Sequence, residues 1–351
     1  MLNQTYRKIE VIVVNDGSTD GTREILDTLA RAESRLKVYH LQKNCGKKKA
    51  LAAGVEKITG DIIVFTDSDS VLAEDAVEKL VQVFLAHPEV GAVTGHGRPL
   101  NAHKNLMTKI QDTWYDGQFR IVKGMESSYG AVTCCSGCLS AYRREAIQPF
   151  VSAWAHDMFL GKEFRFATDR TLTGYVLGGQ YKRKNAILHA DDAEDRAMTT
   201  HMLKQWDVAY CESARVLTEV PDSLKKFLRQ QVRWKKSFIR NMFFTGAFYW
   251  RKPKLMAFVY YIGVAFTLLS PFVAFRAIFL LPYEGDIWSA PLYLAGIVYI
   301  SMLFGLDYKL HNRNSHYWIY RPILSLLSTL VISWLIFYSI LTINKNAWLT
   351  R

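Results

Sequence analysis

The chain has 351 residues, half of them hydrophobic, with 44 Lys and Arg against 32 Asp and Glu, a formal net charge of +12. That length exceeds the usual single domain, and the apolar half is unevenly spread: charged residues are interspersed up to about Trp250, while the last third is dominated by apolar runs. No arrangement of basic and aromatic residues resembles a nucleic-acid module, so nucleic acid is not an expected partner. The five cysteines imply no disulfide framework, and Cys134-Cys135-Ser136-Gly137-Cys138 has no second Cys or His pair at zinc-ligand spacing.

The chain opens with a polar stretch, Met1 to Glu10, rather than a signal peptide. Ile9 to Val14 predicts a strand, Asn15 to Gly21 a loop, and the pattern through Ala32 a helix. Lys37 to Leu41 then predicts a strand, Gly46 to Ile58 a helix, Asp61 to Thr66 a strand, and Glu74 to Ala86 a helix. Such alternation implies an α/β fold with a mostly parallel sheet and helices on both faces. Basic residues crowd the approach to the apolar part, from Lys225 to Lys254, as positive-inside topology and anionic headgroups favour. Leu255 to Leu281, Ile287 to Leu306 and Ile323 to Ile343 are each about as long as a membrane span.

Chemistry gathers where open α/β sheets hold ligands, at the carboxyl ends of strands. Asp16 follows the first strand, and its carboxylate can accept hydrogen bonds from a nucleotide's base or ribose. Asn44-Cys45-Gly46-Lys47-Lys48-Lys49 combines a glycine that lets backbone approach a ligand with lysines, Lys47 first, that can neutralise diphosphate. The run Ile62 to Thr66 delivers Asp67-Ser68-Asp69, two acids whose oxygens suit a divalent cation and so a phosphate leaving group. Further on, Gln230, Arg233 and Trp234 share one helical face, which presents donors and an aromatic wall.

These motifs, in this order and ahead of apolar spans, resemble the processive family 2 glycosyltransferases of the hyaluronan and chitooligosaccharide synthase type. The resemblance implies a GT-A-like domain over residues 1–220, interfacial helices carrying Gln-X-X-Arg-Trp over 221–253, and transmembrane helices with a gating-like loop over 254–351. It implies that Asp67 touches the nucleotide, that Asp69 holds Mg2+ or Mn2+, and that Arg233 binds diphosphate while Trp234 stacks on the acceptor sugar. Phe159 to Thr173 resembles the segment that supplies the general base, which would be Asp169; Ala193 to Thr199 repeats the pattern, leaving Asp195 as the alternative. Tyr129 to Arg143 looks like the acceptor-side segment, with Ser136 and Gly137 at the substrate, although Cys138 stands where that family usually has proline. Trp114 is either a sugar-stacking aromatic or a core or interfacial tryptophan. Leu341 to Arg351 resembles the hyaluronan synthase stretch that approaches the nucleotide site, making Trp348 a gating candidate, with Leu349 in place of the usual glycine.

The expected activity is inverting, since one base and one leaving group permit a single displacement. UDP-sugars would be the donors, a growing β-linked polysaccharide the acceptor, and membrane lipids the surroundings, with the enzyme multi-pass in the cell membrane and its catalytic domain cytosolic. Hyaluronan is the leading product; a chitin-like polymer, or an inactive scaffold that binds nucleotide sugar, are the alternatives. Family members carry further segments at both ends, so the chain reads as a fragment or a shortened relative. With the catalytic domain inside, a third full crossing would put Trp348 outside, so Ile323 to Ile343 is expected to be broken, re-entrant or interfacial.

Overall fold

The computed structural model describes residues 1–181 and 204–345. The strands are β1 (Val11–Asn15), β2 (Leu36–His40), β3 (Ile62–Phe65), β4 (Ser70–Leu72), β5 (Val90–Pro99), β6 (Ser140–Arg143), β7 (Met158–Phe159), β8 (Lys162–Glu163) and β9 (Asp207–Thr218). Between them come helices α1 (Thr22–Ala32), α2 (Lys47–Val55), α3 (Ala76–Ala86) and α4 (Leu106–Gly117). Each strand and helix expected up to Ala86 is present, with boundaries shifted by a few residues.

The chain forms two compact units, one from Met1–His96 with the described part of Glu126–Val216, the other from Gly97–Met125 with the described residues from Leu217 onward. In the first, β1 and β2 pair in parallel, from Val11 opposite Leu36 to Asn15 opposite His40. A five-stranded sheet has the order β3-β6-β5-β9-β4. The α/β architecture with flanking helices is as expected, but this sheet is mixed: β6 runs antiparallel to both β3 and β5. Apolar patterning marks a strand and its buried faces without fixing its direction, which depends on how the intervening segment returns the chain. β5 is buried along nearly its whole length, and Ala92, Val93, Ala141, Tyr142, Leu80 and Phe84 belong to the core around it.

In the second unit, α4 is closed at its start by a capping box, Asn105 with Thr108. The helix Leu224–Phe244 is capped by Ser223, whose side chain accepts from the Lys226 amide. The two helices meet through Ile110 and Phe227, which share an apolar cluster with Leu324 and Ile332. Gln111 Nε2 donates to the Pro221 carbonyl (2.7 Å) and Asn105 Nδ2 to the Asp222 carbonyl (2.7 Å), stitching α4 to the approach of the longer helix. Arg98 lies beside Asp112 (2.6 Å) and Asp116 (3.1 Å) and also bonds Tyr308 and Asn312. Burial alone would lower the Arg98 pKa, but the Asp112 hydrogen bond and charge outweigh it and raise the value above the ordinary one.

Two helices, Lys254–Tyr283 and Ser289–His311, are long and apolar enough to cross a membrane. The first exposes Phe258, Ile262, Phe266 and Leu269, as a lipid-facing surface requires, and exposed Trp250, Tyr283 and Trp288 mark helix ends as interfacial aromatics do. The third apolar stretch is two helices, Tyr317–Ile332 and Leu335–Leu341, bent by 44° at their junction. A broken segment is therefore what the structure has where a broken, re-entrant or interfacial one was expected.

Candidate functional site

The loop after β1 is folded around Asp16. Its carboxylate accepts the backbone amides of Cys45 (2.7 Å) and Gly46 (2.9 Å), and Asn44 Nδ2 donates to the Asp16 carbonyl (3.1 Å). Gly17 makes this approach possible: its φ is +69°, and a Cβ there would lie 2.6 Å from the Asn44 nitrogen. Asp16 thus ties the two loops together, whatever remaining lone pairs it offers a ligand.

Gly46, at φ +90°, turns the chain into α2 and sends the three successive lysines to three different acids. Lys47 pairs with Asp67. Lys48 is buried, its Nζ 2.6 Å from Asp157 Oδ2 and 2.9 Å from the Phe164 carbonyl. Lys49 lies 2.7 Å from Glu163, whose pKa is lowered chiefly by that hydrogen bond. Lys47 therefore meets the first strand-end acid, Asp67; the buried role of Lys48 was not legible, because nothing in a run of three lysines says which one turns inward.

Asp67 and Asp69 follow β3. The Thr66 hydroxyl donates to the Cys138 carbonyl (2.9 Å), holding this strand end to the Cys134 to Cys138 segment. Gly137 faces the pair: a Cβ there would be 3.5 Å from both Asp67 Oδ2 and Lys47 Nζ. Cys138, where proline was usual for the type, is buried and supplies that carbonyl.

Asp169 stands in the first turn of the helix Thr168–Gly178, entered through Ala167 at φ +59°. Its Oδ1 accepts the Arg170 amide (2.9 Å), and the Cys134 thiol donates to its Oδ2 (S to O 3.6 Å). Thr173 donates to the Asp169 carbonyl (2.8 Å) while its Oγ1 accepts the Cys135 amide (2.9 Å). Ser136 donates its own amide to Thr94 Oγ1 (3.1 Å). Burial, reinforced by nearby Cys135, holds the Tyr142 phenol well above its ordinary pKa, so it is a neutral partner of Thr173 (3.4 Å). One four-residue segment therefore borders both acidic loci, with Cys134 bonded to Asp169 and the open space at Gly137 beside Asp67, and its ends are at most about 10 Å apart by chain reach. The contributions of Cys134 and Thr173 were missed in sequence, although the i, i+4 spacing of Asp169 and Thr173 was a usable signal.

Gln230, Arg233 and Trp234 lie in the second unit on the helix Leu224–Phe244. Gln230 is buried and its Oε1 has no hydrogen-bond partner among the described residues, an acceptor that calls for a donor. Trp234 stacks on Trp114 with ring centroids 5.4 Å apart and planes at 21°. Burial pushes the Lys235 and Lys236 ammonium groups below their ordinary pKa, and Lys236 donates to the Lys345 carbonyl (3.0 Å). Asp195 and Trp348 lie outside the described residues.

The model of glycosyl transferase family 2 matches residues 1–150, the part that carries Asp16, Lys47, Asp67 and Asp69. Residues 1–150 form a family 2 glycosyltransferase domain, and the chain is a glycosyltransferase. It is 29% identical over 356 residues to a hyaluronan synthase of Streptococcus pyogenes, covering 100% of this chain and 78% of that protein. It is 28% identical over 358 residues to an N-acetylglucosaminyltransferase of Azorhizobium caulinodans, covering 99% of this chain and 81% of the relative. In fold it matches a mannosyltransferase of Pyrobaculum calidifontis, solved with GDP-Man and Mn2+, with a TM-score of 0.52 at 18% identity over 99% of this chain and 80% of that one. The glycosyltransferase is thus GT-A-like in architecture.

Proposed function

We propose that this glycosyltransferase is an inverting, processive enzyme that moves sugar from UDP-sugar donors to the end of a growing β-linked polysaccharide, of hyaluronan type. The observation that carries the reading is the single segment Cys134 to Gly137, whose Cys134 thiol donates to Asp169 at one end and whose Gly137 at the other leaves room beside Asp67, where a Cβ would come within 3.5 Å of that carboxylate. Asp16, Lys47 and Asp67 hold the nucleotide, with Lys47 offsetting diphosphate charge. Asp69 holds Mg2+ or Mn2+, since carboxylate oxygens match the preference of such hard cations. Among the described residues no group of three or more His, Cys, Asp or Glu could hold an ion, so the fit is to a cation that shares its ligands with the donor's phosphates. When bound, that ion supplies charge neutralisation of the departing nucleotide. Asp169 takes the proton from the acceptor hydroxyl, which attacks the anomeric carbon as the nucleotide leaves from the opposite face. The Cys134 thiol and Arg170 amide orient that carboxylate.

Ser136 and Gly137 form the acceptor-side wall, and Gln230, Arg233 and Trp234 bind the diphosphate and the acceptor sugar. Residues 1–220 carry the chemistry on the cytosolic side, 221–253 lie at the membrane surface against lipid, and 254–351 cross the cell membrane more than once and pass the polymer. The N-acetylglucosaminyltransferase similarity favours a second reading, synthesis of a chitin-like oligosaccharide from one donor. The purified chain, given manganese or magnesium, separates the two: UDP release that requires UDP-N-acetylglucosamine and UDP-glucuronic acid together fits the first. Release with UDP-N-acetylglucosamine alone fits the second, and release with neither donor set sinks both.

A further inference from the structure

On α4, Ile110 and Trp114 are one turn apart and share a face; on the helix Leu224–Phe244, Phe227, Gln230 and Trp234 fall at i, i+3 and i+7 and do the same. The seam between the helices begins at Ile110 and Phe227 and ends at the Trp114 and Trp234 stack. Tyr115 braces Trp114 edge-on, its ring centroid 5.4 Å away at 73°. α4 is held independently by the Asn105 capping box, by Gln111 on Pro221, and by Asp112 and Asp116 on Arg98. Both tryptophans are half-buried, so the pair is not a sealed core contact.

From this arrangement we propose that Trp114 is a positioning residue for acceptor recognition. It covers one face of the Trp234 indole, so that a sugar ring can stack only on the other. The proposal rests on the reading that Trp234 meets the acceptor sugar. An indole on a single helix can swing about two side-chain torsions, whereas one clamped against a second indole offers a fixed plane, and a fixed plane sets the tilt of the sugar stacked on it. The Gln230 Oε1, without a partner among the described residues and one turn before Trp234, belongs to the same helix face and adds an acceptor suited to a hydroxyl or amide N–H of that sugar.

The test is calorimetric binding of a β-linked, N-acetylglucosamine-terminated trisaccharide, and separately of UDP, to the full chain and to Trp114→Ala, Trp114→Phe, Trp234→Ala and the double alanine variant. Trp114→Ala should weaken trisaccharide binding roughly 2- to 10-fold, the range expected for loss of an aromatic pair, and leave UDP binding unchanged. Trp114→Phe should recover most of the loss, and the double variant should bind no more weakly than Trp234→Ala alone, because Trp114 acts through Trp234. Trisaccharide binding unchanged in Trp114→Ala but weakened in Trp234→Ala overturns the positioning role and leaves the Trp234 reading standing. Binding unchanged in Trp234→Ala, or undetectable in the unaltered chain, overturns both. Equal loss of UDP and trisaccharide binding in Trp114→Ala and Trp114→Phe alike marks Trp114 as a purely structural residue and also overturns the proposal.

Discussion

Replacing Asp157 by alanine should destabilise the first unit far more than replacing Asp157 and Lys48 together by Leu and Met. The Lys48 and Asp157 side chains are only 4% and 2% exposed, and their 2.6 Å contact is the ammonium's closest charge partner. Removing the carboxylate takes this ion-pair partner from a buried cation, and the Phe164 carbonyl (2.9 Å) and ring face (5.6 Å) carry no formal charge to replace it. Breaking a buried ion pair by removing one partner costs about 3–5 kcal/mol, whereas exchanging both partners for apolar residues of similar volume is often close to neutral. At about 2–4 °C per kcal/mol for a domain of this size, Asp157→Ala should lower the thermal midpoint by on the order of 10 °C. The double variant should fall within a few degrees of the parent. The assay is intrinsic-fluorescence melting of the full chain in detergent at one fixed scan rate. Because Lys48 adjoins Lys47, the double variant should also keep its UDP affinity. Equal loss of stability in the single and double variants would refute the argument, since it would mean that packing volume, and not the loss of one ion-pair partner, sets the cost.

Three further outcomes follow from the same contacts. Glu10 is held at a pKa of about 2, first by the Lys37 hydrogen bond, with the Thr59 and Gly60 amides assisting against the cost of burial. Its folded-state pKa lies below the unfolded one, so its stabilisation is complete above about pH 4.5 and is lost as pH falls toward 2. Melting of Glu10→Gln between pH 2 and 5 should therefore vary less with pH than that of the parent, and parallel curves would rule the coupling out. Gly137→Ala should melt like the parent, because its Cβ makes only ordinary contacts with Asp67 and Lys47 at 3.5 Å. It should nonetheless raise the KM for UDP-sugar by about tenfold or more, as an added methyl group narrows the space beside the donor; an unchanged KM would place the donor elsewhere. Asp169→Asn should lower kcat by roughly 10²- to 10⁴-fold while donor binding is retained, as loss of a general base does. Near-normal turnover would exclude Asp169 from that role.

Much of the fold was legible because it is written in short-range pattern. The β-branched run at Ile9 to Val14, the turn chemistry at Asn15 to Gly21 and the apolar periodicity of residues 76–86 each mark an element locally. Strand direction was not legible: the antiparallel pairing of Ser140 to Arg143 with β3 and β5 depends on how the segment before it returns the chain. At the site, the acids after β3 and in the helix Thr168–Gly178 stood out by type and position. The Cys134 contact that orients the Asp169 carboxylate did not, because it joins residues 35 positions apart through tertiary packing, whereas the Thr173 bond lies within one helix and its i, i+4 spacing was readable. Trp114 was visible only as an aromatic that could serve the core or a sugar; the Trp234 stack decides what it touches. The third apolar stretch is long enough to span, and its 44° bend lies at Ser333-Trp334, where neither proline nor glycine announces a break.

The acids following β3 are the proposed seat of sugar transfer. The most direct measurement is UDP release by the full chain with UDP-N-acetylglucosamine, UDP-glucuronic acid and manganese, compared among the parent, Asp67→Asn and Asp69→Asn after their melting curves are shown to coincide. Steady release is expected from the parent and a loss of about 100-fold or more in each variant, the scale on which charge stabilisation of a leaving group contributes. Release by Asp69→Asn at the parent's rate would contradict it.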